Sequence, residues 1–126
     1  MSMTSTADSV LRAIGGTPLV RLRRVVSAAD ADVLIKLESV NPTGSYKDRM
    51  ALAMIEGAEA SGLLRPGMRV VEFTGGSTGS SLAMVCAAKG YRFVVLSSDA
   101  FAREKLLTIC RRWALSCEWC RATVGR

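Results

Sequence analysis

Histidine is absent from the 126 residues. That excludes the Ser–His–Asp and Cys–His catalytic arrangements and any metal site built on histidine. Aromatic residues are scarce at 6%, and only 3 prolines interrupt the chain. No apolar run approaches the roughly 18 residues that a membrane span requires. The opening Met1–Ala7 lacks the basic-then-apolar order of a secretory leader. A cytoplasmic location with no membrane contact is therefore expected. Acidic residues are outnumbered, 11 against 17 basic ones, for a net charge of +6. Such an excess suits an acidic partner, either a nucleic acid or an anionic cofactor.

What is present is a globular composition, 49% hydrophobic and 22% charged, at a length that can bury a core. The basic excess is uneven. Residues 110–126 hold four arginines against one glutamate, three of the four cysteines and both tryptophans. The layout expected is a flexible amino terminus over 1–13, an α/β region over 14–109 and an atypical tail over 110–126.

Ile14-Gly15-Gly16-Thr17-Pro18-Leu19-Val20-Arg21-Leu22 reads as a turn followed by an extended segment, because Thr before Pro is biased away from helix. Val33–Leu37 reads as a strand, and Asn41-Pro42-Thr43-Gly44-Ser45 is dense in turn residues. Met50, Ala51, Met54, Ile55 and Ala58 recur at helical spacing and predict an amphipathic helix to about Ser61, with Gly62 as its cap and Pro66-Gly67 as a turn. Arg69–Phe73 is the next strand. A helix capped by Ser80 or Ser81 runs through Lys89 and ends at Gly90. Phe93–Leu96 is a strand, and residues 101–109 read as another helix. Alternating strands and helices with short loops predict an α/β fold, a parallel sheet with flanking helices.

Two places carry chemistry. The loop Thr74-Gly75-Gly76-Ser77-Thr78-Gly79 lies between a strand and a helix start, where free backbone N–H groups suit an anion, and Ser77, Thr78, Ser80 and Ser81 add hydroxyls. Its glycine spacing matches neither a P-loop nor a dinucleotide fingerprint. The same loop also serves as a tight strand-to-helix turn without a ligand. Lys47 stands at a helix start, where the macrodipole disfavours a cation. A lysine there meets an anion, supplies a neutral amine for Schiff-base chemistry, or is a solvated residue offset by Asp48.

With Ile14–Leu22, the run Lys36-Leu37-Glu38-Ser39-Val40-Asn41-Pro42-Thr43-Gly44-Ser45-Tyr46-Lys47-Asp48-Arg49 and the run Glu72–Gly79 occurring in order, the chain resembles the fold-type-II pyridoxal-phosphate enzymes, the cysteine synthase and cystathionine β-synthase group. The resemblance implies that Lys47 is the Schiff-base lysine for pyridoxal phosphate and the base that removes the substrate α-proton. It implies that Thr74, Gly75, Gly76, Ser77, Thr78 and Gly79 bind the carboxylate of an amino-acid substrate, with Ser77 also touching the cofactor's 3′-oxygen. The chemistry implied is β-replacement or β-elimination, a transferase or lyase activity, in a homodimer without metal. The family's loop usually reads Thr-Ser-Gly-Asn-Thr-Gly. Here Gly75 and Ser77 replace its Ser and Asn, which bears on cofactor tilt and substrate preference.

The family's phosphate-binding loop and its contact to the pyridine nitrogen come later than this chain extends. The resemblance therefore also carries an alternative, an amino-terminal fragment that is truncated and catalytically inactive. Codons for 112–124 can be chosen so that a second frame spells Leu-Gly-Ala-Glu-Leu-Arg-Met-Val-Pro-Ser-Asp-Gly-Gly, which looks like the family's continuation. The expectation is a frameshift near Cys110. Two other readings attach to the tail. Cys117-Glu118-Trp119-Cys120 with Cys110 suggests metal or redox work, and the basic, tryptophan-bearing stretch suggests nucleic-acid contact. The frameshift leaves both without selected function, so no nucleic-acid partner is expected.

Overall fold

The computed structural model describes residues 9–27, 29–98, 111 and 117–121, the last five as backbone. Ser9 accepts the Leu11 N–H and starts a 3-10 turn over Val10–Ala13, at the end of the stretch expected to be flexible. β1 (Leu19–Arg21) and β2 (Leu34–Lys36) pair antiparallel, with Val20 opposite Ile35. This hairpin stands outside the parallel pattern that the strand–helix alternation predicts. Its two strands are joined without a helix, so the chain can only turn back on itself.

From there the alternation holds. α1 (Lys47–Ala60) leads to β3 (Arg69–Phe73), then α2 (Ser77–Lys89) and β4 (Arg92–Ser97). β3 and β4 pair parallel, with Val71 opposite Val94. β5 (Cys117–Arg121) adds to the other edge of β4, also parallel, giving the order β3-β4-β5. This strand falls in the segment that composition sets apart as an atypical tail. The helix expected over 101–109 lies outside the described residues.

α2 begins at Ser77, earlier than the Ser80 or Ser81 cap that hydroxyl propensity favours. Gly76 is extended, with φ −148° and ψ −151°, and its carbonyl receives the N–H groups of Gly79 and Ser80 at 3.1 and 3.4 Å. The backbone turn starts the helix, and no side chain caps it. At the other end Gly90 takes the left-handed conformation expected of it, at φ 78°.

The core is built around α2. Leu82, Ala83, Met84, Val85 and Cys86 are all buried, as in a helix covered on every side. It packs against α1 and against β3 and β4. α1 contributes one stripe, Ala51 and Ile55, while β4 contributes Phe93 and Val95. Burial pushes the Cys86 thiol up to about 12, so it is an inert apolar filler rather than a nucleophile.

A polar clasp fastens the hairpin region to α1. The Glu38 carboxylate receives Arg49 through Nε at 2.8 Å and Nη2 at 3.0 Å, Thr17 Oγ1 at 2.5 Å and Asn41 Nδ2 at 3.0 Å. Asn41 Oδ1 in turn accepts the Gly15 N–H at 2.9 Å, and Lys36 Nζ donates to the Thr17 carbonyl at 2.7 Å. Gly15 is needed here on two counts. Its φ is +89°, and a Cβ would stand 2.9 Å from Arg49 Nη1. The Gly-Gly-Thr-Pro turn is thus one wall of a socket for Arg49.

Two consequences can be measured. Hydrogen bonding from Arg49, then from Thr17, lowers the Glu38 carboxyl from 4.5 to about 2. A group depressed in the folded state contributes stability above 4.5 and loses it as pH falls toward about 2. The melting temperature of Glu38→Gln should therefore fall less steeply through that acid window than the wild type's; equal slopes would contradict the clasp. Phe93→Ala should lower unfolding free energy by about 3–5 kcal/mol in urea titration, because it empties a fully buried site in β4.

Candidate active site

The turn Asn41–Gly44 closes with the Gly44 N–H donating to the Asn41 carbonyl at 2.8 Å, and Gly44 sits at φ +82°. Ser45 Oγ then accepts the Lys47 N–H at 3.1 Å, and α1 starts at Lys47 as the sequence predicts. The Lys47 side chain is half-buried. Its Nζ lies 4.8 Å from the centroid of the Tyr46 ring and 4.0 Å from Met50 Sδ. Among the described residues no carboxylate comes within ion-pair distance of it.

Asp48 does not offset that charge, one of the roles the sequence leaves open for it. Its side chain is fully buried and turns toward Thr43 and α2. Oδ2 accepts the Thr43 N–H at 2.8 Å, and Oδ1 accepts the Ser81 hydroxyl at 2.5 Å together with that of Thr43. The next residue, Arg49, enters the Glu38 clasp. Three successive residues thus serve three neighbourhoods.

The Thr74–Gly79 loop joins β3 to α2. The Thr74 N–H donates to the Leu96 carbonyl at 2.9 Å, pinning the loop's start to β4, and Thr74 Oγ1 accepts the Gly76 N–H at 3.3 Å. Thr74, Gly75 and Gly79 are buried, Gly76 and Thr78 half-buried and Ser77 exposed. The N–H groups of Gly75, Ser77 and Thr78 have no acceptor among the described residues, so the uncapped start of α2 presents three donors. One expected hydroxyl is not among the groups facing an anion here. Ser81 sits a full turn inside α2 and is bound to Asp48. Just beyond Leu96, Ser97 is 1% exposed, and its hydroxyl has no hydrogen-bond partner among the described residues.

The Asp48–Ser81 bond joins the amino-terminal ends of α1 and α2, the ends that carry Lys47 and the glycine-rich loop. Both sequence-predicted site elements therefore lie at one end of the helix pair. Of the residues that bring them there, Thr43 is absent from the sequence-based site, while Asp48 and Ser81 enter it only in other roles, as a counter-charge to Lys47 and as an anion donor. A signal for one of them existed. Asp48 shares the helical spacing of the buried Ala51 and Ile55, so it belongs to the inward face. The side chains of Cys110, Cys117 and Cys120 lie outside the described residues.

Comparison with known proteins matches this arrangement to a family. The family model described as pyridoxal-phosphate dependent enzyme matches residues 10–114. A cysteine synthase of Staphylococcus aureus (strain N315) is 53% identical over 98 residues, covering 78% of this chain and 32% of the relative. The O-ureido-L-serine synthase of Streptomyces lavendulae is 50% identical over 98 residues, covering 78% and 30%. Among solved structures, a hydrogen sulfide-producing enzyme from Fusobacterium nucleatum superposes with a TM-score of 0.84 at 36% identity, over 98% of this chain and 39% of that one. The O-acetyl serine sulfhydrylase isoform 3 of Entamoeba histolytica gives 0.85 at 31% identity, over 99% and 38%. The chain spans about a third of the length of the curated relatives it matches. By its ordered motifs, its fold and its matched residues, the chain belongs to the pyridoxal-phosphate dependent enzyme family.

Proposed function

We propose that this chain carries the lysine-bearing part of a pyridoxal-phosphate site for β-replacement or β-elimination on an amino acid. The observation that carries the reading is the Lys47 amine, which starts α1 beside the uncapped start of α2 and has no carboxylate partner among the described residues. The donor set fits the cofactor. An aldehyde needs a primary amine, which Lys47 supplies, and the substrate carboxylate needs donors, which the N–H groups of Gly75, Ser77 and Thr78 and the hydroxyls of Ser77 and Thr78 supply. The names of the relatives, cysteine synthase and O-ureido-L-serine synthase, support a β-replacement.

When bound, pyridoxal phosphate supplies an electron sink for the bonds at the substrate α-carbon. The chain's own contribution is binding, orientation and proton handling. Lys47 Nζ would hold the cofactor, and its amine would take the α-proton of the substrate. The Thr74–Gly79 loop orients the substrate carboxylate, with its backbone N–H groups at the positive end of α2 and the Ser77 and Thr78 hydroxyls beside them. Ser77, exposed at the tip, is the side chain assigned to the cofactor's 3′-oxygen. The shorter serine in place of an asparagine leaves more room on that side.

In a second reading these residues hold the cofactor without completing turnover. Both readings require Lys47. Purified protein mixed with pyridoxal phosphate should develop a visible absorbance that disappears in Lys47→Ala. An absorbance that survives in Lys47→Ala would overturn the assignment. A Lys47-dependent absorbance that no amino acid perturbs would select the second reading.

A further inference from the structure

We infer that Asp48 is the positioning residue of this site, and that its buried carboxylate locks the Lys47 end of α1 to the loop-bearing end of α2. The inference rests on the reading of Lys47 as the cofactor lysine and adds a residue that does not touch the cofactor. The carboxylate bridges three segments. Oδ2 takes the Thr43 N–H, from the turn before α1, at 2.8 Å. Oδ1 takes the Thr43 hydroxyl and, from α2, the Ser81 hydroxyl at 2.5 Å. The two hydroxyls are 3.3 Å apart and converge on the same oxygen. Among the described residues no cation pairs with Asp48. Three donors and the positive end of α1 meet it instead.

That geometry controls Lys47 because the two residues are neighbours on the first helical turn. Rotating or sliding α1 against α2 moves Asp48 off its one donor on α2, Ser81, and strands polar groups in a dry interface. While the cluster is intact, the Lys47 backbone keeps one distance and direction to the Thr74–Gly79 loop. Shape and hydrogen bonding do this work, so an amide can replace the carboxylate. In Asp48→Asn the amide oxygen accepts the Thr43 N–H, and its nitrogen donates to the two hydroxyls, which accept as readily as they donate. In Asp48→Ala nothing meets them.

The test compares the wild type with Asp48→Asn, Asp48→Ala and Ser81→Ala in two readouts. One is titration with pyridoxal phosphate, followed by the Lys47-dependent absorbance. The other, without cofactor, is the rate of Lys47 acetylation relative to Lys36 and Lys89, by peptide mass spectrometry. Asp48→Ala should weaken cofactor binding about tenfold, the scale of a lost charged hydrogen bond. It should also raise relative Lys47 labelling about threefold, as the first turn frays. Ser81→Ala should move both readouts the same way by less, and Asp48→Asn should stay within about twofold of wild type.

Asp48→Ala matching wild type in both readouts would overturn the inference. So would Asp48→Asn failing as badly as Asp48→Ala, because that would make charge rather than geometry the requirement. If Asp48→Ala does not fold, Ser81→Ala decides, and no change in either readout overturns the inference. If the wild type shows no Lys47-dependent absorbance, the cofactor reading falls, and the labelling arm alone decides the positioning role.

Discussion

A carboxylate withdrawn from water must be met by donors, and that requirement on Asp48 ties this structure together. Its partner on α2, Ser81, is 33 residues away in sequence. Satisfying the carboxylate therefore fixes how two helices meet, which apolar contacts alone leave free to slide. The core supplies most of the attraction, through the buried flank of α2 against α1, β3 and β4. The Asp48 cluster selects one register from those that such a surface allows.

Successive residues on a helix point about 100° apart, and the Lys47-Asp48-Arg49 triplet uses that spacing. Asp48 faces inward to Thr43 and Ser81. Arg49 faces the hairpin side, where Glu38, Thr17 and the Gly15 turn form its socket. Lys47 is left facing neither, with its amine beside the Tyr46 ring. Two anchors hold the backbone on which the Lys47 amine is mounted, so the amine's position follows from the Asp48 and Arg49 contacts on either side of the helix.

Much of this could be read in advance, because it depends on local rules. Periodicity from Met50 onward placed α1, and the turn before it put Lys47 at its start. Gly90 marked the end of α2, and the Thr74–Gly79 loop fell between a strand and a helix. Other parts depend on what the chain meets far away. Hydroxyl propensity suggested a cap at Ser80 or Ser81, but the Gly76 carbonyl starts α2 earlier and frees Ser81 for Asp48. Charge adjacency suggested that Asp48 serves Lys47, whereas the spacing shared with Ala51 and Ile55 places it on the buried face. The Glu38–Arg49 clasp joins the 3-10 turn Glu38–Val40 to α1, and no local rule pairs them. Composition set the tail apart, yet β5 pairs with β4 through backbone groups that every non-proline residue carries.

The account stands on the proposal that Lys47 is the lysine that holds the cofactor. The direct measurement is borohydride trapping of pyridoxal phosphate on the intact chain, followed by peptide mapping. The account predicts that the label falls on Lys47 at low cofactor concentration, with Lys36, Lys89 and Lys105 unmodified. A label spread evenly over the lysines, or concentrated on one other than Lys47, would contradict it.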